Sequence, residues 1–141
     1  MATTRQAHTV WEGNLTEGKG VVTFDSSGIG DYDVSWPSRA EAPNGKTSPE
    51  ELIAAAHSSC FSMALSHGLT SAGTPPTRLD TRADVTFQPG TGITGIHLTV
   101  QGQVPGLDEA GFIKAAEDAK ANCPVSQALT GTTITLSASL A

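Results

Sequence analysis

The sequence predicts an α+β domain with mostly antiparallel strand pairing and a long central helix. Three observations carry that expectation. Patterns along the chain run strand, strand, strand, helix, strand, strand, helix, helix, strand. A full helix-start signature stands at Ser48, and the chain contains neither a G-x-G-x-x-G fingerprint nor a P-loop, so a nucleotide cofactor has no visible seat.

The first third alternates strand-like and turn-like segments: Ala7 to Trp11, a turn at Gly18 and Gly20, Val21 to Asp25, and Tyr32 to Trp36. This pattern predicts an antiparallel meander. Pro37 to Thr47 is polar and contains Pro43-Asn44-Gly45, which has turn chemistry, so a surface loop is expected there. Ser48 can cap the following helix, Pro49 suits its first position, and Glu51 completes a capping box. Leu52, Ile53, Ala56, Cys60, Met63, Ala64 and Leu65 then recur at helical spacing, predicting a buried stripe that loosens at Gly68 and Gly73. Arg78 to Gln88 and Ile93 to Val104 are the next strands, joined by the hairpin-like Pro89-Gly90-Thr91-Gly92. Asp108 caps a helix from Glu109 to about Ala121, with Phe112, Ala115, Ala116 and Ala119 on one face. A short helix follows, capped by Asn122 or Cys123, opened by Pro124 and carried by Val125 to Leu129. Thr132 to Leu140 alternates apolar and hydroxyl residues, as a half-buried strand does.

With 141 residues, 38% of them hydrophobic, one domain is expected to span the whole chain, 1–141, and to bury roughly two thirds of its unfolded surface. Fourteen acidic residues against eight basic ones, with no basic run, disfavour nucleic acid and anionic membrane surfaces as partners. No apolar stretch is long enough to span a bilayer, and the first ten residues lack a signal core, which predicts a cytoplasmic protein. Two cysteines in that setting read as reduced thiols or a redox pair. They lie 63 residues apart and the four histidines show no tight pairing with them, so no metal site is expected.

Cys60 falls three turns into the long helix, on an expected apolar face. Burial raises a thiol pKa above its free value of about 8.5, so this sulfur needs a nearby cation to react as thiolate. Arg39, just ahead of the helix, can fold back over it and offers a planar fork able to hold a peroxide oxygen. Glu50, ten positions before Cys60, can turn toward Arg39 and orient it; equally, Glu50 and Glu51 can simply favour the helix N-terminus, as acids do. Cys123 sits at a cap closed by Pro124, where unpaired N–H groups favour a thiolate. The alternative is that both cysteines are small buried hydrophobes. His57 reads as a hydrogen-bonded core histidine without a catalytic role.

The run Thr47-Ser48-Pro49-Glu50-Glu51-Leu52-Ile53-Ala54-Ala55-Ala56-His57-Ser58-Ser59-Cys60-Phe61-Ser62-Met63-Ala64-Leu65 resembles the OsmC/Ohr family of hydroperoxide-reducing enzymes. Asn122-Cys123-Pro124-Val125-Ser126-Gln127-Ala128-Leu129 is similar to that family's second cysteine motif. Trp11-Glu12-Gly13 and Gly18-Lys19-Gly20 also fit, so the resemblance covers nearly the whole length. It implies Cys60 as the peroxidatic cysteine, Cys123 as the resolving cysteine and Glu50 as the glutamate. It places the arginine on Arg39, as in the OsmC branch, whereas the Ohr branch takes its arginine from an earlier loop. Ala40 stands where the family carries an aromatic residue. The implied fold is an OsmC-like intertwined homodimer with two active sites at the subunit interface.

The expected mechanism follows from this resemblance. Arg39, held by Glu50, stabilises the Cys60 thiolate, which attacks an organic hydroperoxide, alkyl or lipid, and becomes a sulfenic acid as an alcohol departs. Cys123 then closes a disulfide, and an external dithiol, by resemblance a lipoyl-type protein thiol, resets it without any bound cofactor. An apolar approach lined by Leu52, Phe61 and Met63 is expected to favour organic tails. Two rivals stay open on the residues alone: a dimeric module binding a small apolar ligand without redox chemistry, and a structural protein stabilised by a Cys60–Cys123 bridge.

Overall fold

Chain patterning converts into ten elements in the computed structural model, which describes residues 1–141. These fall into two compact units, residues 1–52 and 53–141.

In the first unit, β1 (His8–Glu12), β2 (Lys19–Thr23) and β3 (Asp31–Val34) form an antiparallel meander in the order β1-β2-β3. Register pairs Val10 with Val21 and Val22 with Tyr32. Alternation therefore puts Trp11, Gly20, Val22, Tyr32 and Val34 on one face. Gly20 is required there: a Cβ on it would come within 2.8 Å of both the Trp11 ring and Val34. The third strand ends two residues earlier than its apolar pattern predicts. Ser35 leaves the sheet to cap α1 (Trp36–Ala40), and the Ser35 and Ser38 side chains each bind the other's backbone N–H. The expected loop over 37–47 is corrected accordingly: its first four residues belong to this one-turn helix, with Pro37 in its first turn.

Pro49–Ser71 forms α2. Ser48 Oγ accepts from the Glu51 N–H at 3.1 Å, as a cap should. The reciprocal half of the expected capping box is absent, because the Glu51 carboxylate accepts instead from the Thr47 hydroxyl at 2.6 Å.

The second unit pairs β4 (Arg78–Gln88) antiparallel to β5 (Gly92–Gln103), and β6 (Ile134–Leu140) runs parallel to β5. The sheet is thus mixed, with one parallel edge. That edge follows from the connection: α3 (Glu109–Asn122) and α4 (Pro124–Ala128) separate β5 from β6, and a crossover of this length returns the chain in the same direction. Asp108 caps α3 by accepting from the Gly111 N–H at 2.8 Å.

Burial alternates along β5, with Ile96, Leu98 and Val100 inside and Thr99 and Gln101 outside. Onto the inner face pack Phe61, Leu65 and Leu69 of α2 and Phe112, Ala116 and Ala119 of α3. The buried stripe of α2 is His57, Phe61, Leu65 and Leu69, each four residues from the next. This corrects the expected stripe. Ala56 is exposed, Met63 is 72% exposed, and Cys60 is half-buried one helical position from Phe61.

Gly102 lets α3 close on the sheet, since a Cβ there would lie 2.6 Å from the fully buried Phe112 ring. Gly102→Ala is expected to cost about 1–3 kcal/mol through overpacking. Thermal unfolding should show the loss as a melting temperature lower by about 5–10 °C.

Candidate active site

Two clusters hold the four sequence-predicted site residues. In the first unit, α1 presents Arg39 and the first turn of α2 presents Glu50. The contact is a fork. Arg39 Nε donates to both carboxylate oxygens, at 3.0 and 3.2 Å, and Nη2 donates to Oε2 at 2.9 Å. The Glu50 side chain is only 8% exposed, so the carboxylate depends on this guanidinium for compensation. The reading in which Glu50 merely decorates the helix N-terminus is therefore incomplete, while Glu51, on the exposed side, does serve the local start of the helix.

In the second unit, α2 carries Cys60 and the α3–α4 junction carries Cys123. Cys123 ends α3 as its C-cap and opens α4 as its N-cap, and Pro124 supplies the next residue without needing an N–H. Both thiols are free. Cys123, fully buried, donates its S–H to Cys60 Sγ at 3.0 Å. Removal from water pushes the Cys60 thiol pKa up, and the close contact with the Cys123 thiol adds to the rise. A backbone hydrogen bond from Val125 pulls the other way. That donor corrects the sequence reading, in which the N–H groups at the start of α4 served Cys123; one of them serves Cys60.

Cys60 opens onto a cleft of about 720 Å³ between α2 and α3. From α2 it is lined by Met63, Ala64 and Gly68, and from α3 by Gly111, Ala115 and Ala119 among others. Small residues facing one another leave the space. Met63 lines it as expected, but Phe61 does not, because its ring is buried in the core one helical position away; Leu52 is not among the lining residues either.

His57 is fully buried in α2, and its Nε2 meets Ser126 Oγ of α4 at 2.7 Å. Burial pushes its pKa down, so the ring is neutral at pH 7. The sequence reading of a hydrogen-bonded core histidine holds in this respect, but its partner was missed. The available signal was spacing: His57 lies three residues before one cysteine and Ser126 three after the other. No group of three or more His, Cys, Asp or Glu side chains is arranged to hold a metal ion.

The fold and the sequence have counterparts. A family model described as OsmC-like protein matches residues 42–137. Peroxiredoxin OsmC of Escherichia coli strain K12 is 46% identical over 127 residues, covering 88% of this chain and 87% of that protein. Among solved structures, the organic hydroperoxide resistance protein OhrB of Bacillus subtilis superposes with a TM-score of 0.72 at 26% identity, over 96% of this chain and 98% of that one. An organic hydroperoxide resistance protein from Elizabethkingia anophelis superposes over the full length of both chains, with a TM-score of 0.70 at 25% identity. The matched family model and the 46% identity together make this chain a member of the family of OsmC-like proteins.

Proposed function

We propose that this protein is a thiol peroxidase that reduces organic hydroperoxides to alcohols in defence against oxidative stress. The observation that carries this reading is the Cys123 thiol standing 3.0 Å from a Cys60 sulfur that opens onto a largely apolar cleft. The names of the relatives, a peroxiredoxin and organic hydroperoxide resistance proteins, point the same way. The Cys60 thiolate attacks the peroxide oxygen distal to the organic group; the O–O bond breaks, Cys60 becomes a sulfenic acid, and the alkoxide takes a proton to leave as alcohol. The Cys123 sulfur then displaces the hydroxyl oxygen from Cys60, water leaves, and a disulfide remains. An external dithiol, of lipoyl type by family resemblance, returns both thiols while being oxidised to its own disulfide. Sulfur carries both electrons, so the cycle needs no bound cofactor.

Burial opposes the thiolate, and a cation must offset it. The basic side chains Arg78, Arg82, Lys114 and Lys120 of the second unit each contact an acidic neighbour on the surface. In the proposed mechanism Arg39 supplies the charge, with Glu50 gripping its Nε–Nη2 edge and fixing the plane of the guanidinium.

The functional form is a homodimer with its sites at the interface. Val22 is the one large apolar side chain buried within residues 1–52, while Val10, Trp11, Val21 and Tyr32 stay between 39% and 57% exposed. Apolar exposure of that extent supports cover by a second copy. No helix is long and apolar enough to cross a membrane, and two free thiols suit a reducing cytoplasm as the protein's location.

One equivalent of organic hydroperoxide is expected to yield a stoichiometric Cys60–Cys123 bond by mass spectrometry, and Cys123→Ser to stop with an oxidised Cys60. Persistence of both thiols would return the protein to the ligand-binding class. Arg39→Met removes the cation and leaves burial to act alone, so the pH midpoint of Cys60 alkylation should rise by about one pH unit or more. An unmoved midpoint excludes Arg39 as the charge partner.

The cleft sets the third expectation. A tail burying four methylenes gains about 3 kcal/mol, so kcat/KM for a long alkyl hydroperoxide should exceed that for hydrogen peroxide by about 100-fold. A Cβ at Gly68 meets no atom within 4 Å, so the side chain of Gly68→Leu can enter the cleft it lines without a clash at Cβ. It should lower the organic rate about tenfold or more and leave hydrogen peroxide turnover within about twofold. Parallel losses with both substrates would place the tail elsewhere.

A further inference from the structure

The buried His57–Ser126 pair lies outside the proposed chemistry, yet it ties together the same two helices that carry the cysteines. His57 stands three residues before Cys60 on α2, and Ser126 three residues after Cys123 on α4. The two helices therefore meet twice, through sulfur at 3.0 Å and, about one turn away, through Nε2 and Oγ at 2.7 Å. One contact fixes a point; two fix an orientation.

The short helix needs that second contact. At five residues, α4 is far below the length that sustains a helix alone, and its N-cap, Cys123, makes no side-chain capping bond. Stability gives little reason for an imidazole here. Its Nδ1 is buried without a hydrogen-bond partner, an expense an apolar side chain of similar volume avoids. With the ring neutral, the bond fits an Nε2–H donating to Ser126 Oγ and a lone pair left on Nδ1.

We propose that His57 and Ser126 are positioning residues for disulfide closure, their hydrogen bond holding α4 so that the Cys123 thiol stays aimed at Cys60 when the sulfenic acid forms. The inference rests on the disulfide cycle proposed above. Closure competes with over-oxidation. In one reaction the Cys123 thiol attacks the Cys60 sulfenic sulfur and water leaves; in the other a second hydroperoxide oxidises the sulfenic acid to sulfinic acid and becomes alcohol. Sulfur atoms 3.0 Å apart need to approach by only about 1 Å to bond, so orientation sets the first rate.

Ser126→Ala removes the acceptor with little loss of volume, and His57→Phe removes the donor while filling the space. His57→Gln keeps an N–H near the position of Nε2. Rapid-quench mass spectrometry of the full chain, with cumene hydroperoxide as probe, separates the steps: attack is read in a Cys123→Ser background and closure with both cysteines present. Closure is expected to slow about tenfold in Ser126→Ala and His57→Phe, with attack within about twofold of the parent. Sulfinic Cys60 should rise in excess hydroperoxide, and His57→Gln should recover closure to within about threefold. Unchanged closure in Ser126→Ala overturns the latch, as do equal losses in attack and closure or a His57→Gln no better than His57→Phe. A parent protein that forms no Cys60–Cys123 bond sinks the disulfide cycle itself, which separates that failure from the latch's own.

Discussion

Taking a cysteine sulfur out of water favours its protonated form, and that tendency is the constraint under which Cys60 sits. The half-buried sulfur lies against the core stripe of α2, and its contact with the Cys123 thiol pushes its pKa up further. The second unit answers with one backbone N–H, from Val125. A single neutral donor does not match a buried charge, which is why the proposed chemistry calls on a guanidinium fixed by a buried carboxylate. Buried Glu50 has a cost of its own, met by three hydrogen bonds from Arg39. Glu50 is therefore tolerable only because of Arg39, and that pairing is made between α1 and the first turn of α2.

The legible parts of the sequence were those where one residue type has one physical use. Ser48-Pro49 marked the start of α2, Asp108 the start of α3, and Pro124 the start of α4, because capping and the missing proline N–H act locally. The Arg39–Glu50 pairing, one of two readings open for Glu50, is visible as a fork. What local signals could not supply was direction. The return of β6 parallel to β5 depends on where two helices put the chain, and Glu51 accepts from the Thr47 hydroxyl where the capping pattern pointed to the Ser48 N–H.

The one-turn α1 shows the same limit from another side. Pro37 and the polar residues after it have loop composition, and five residues are too few for periodicity to register. The helix exists because Ser35 and Ser38 cap each other reciprocally, a pattern that a search for Glu or Gln at the third helical position passes over. Its consequence is positional. A loop would let the Arg39 stem wander, whereas the last turn of a capped helix delivers the guanidinium to Glu50 in bidentate geometry.

The misread face of α2 has the widest consequence. Apolar and small residues run around much of its circumference, so no one stripe stands out, and Cys60, Ala64 and Met63 seemed as good a core face as any. Packing selects the stripe with volume, Phe61, Leu65 and Leu69, and buries it against β5 and α3. Cys60, Ala64 and Gly68 lie one position earlier on successive turns, about 100° around the helix, where small side chains leave the cleft open. Core and site thus divide one helix between them. The large stripe holds α2 rigid against the sheet, and that rigidity keeps the small stripe hollow and its cysteine at a fixed distance from Cys123.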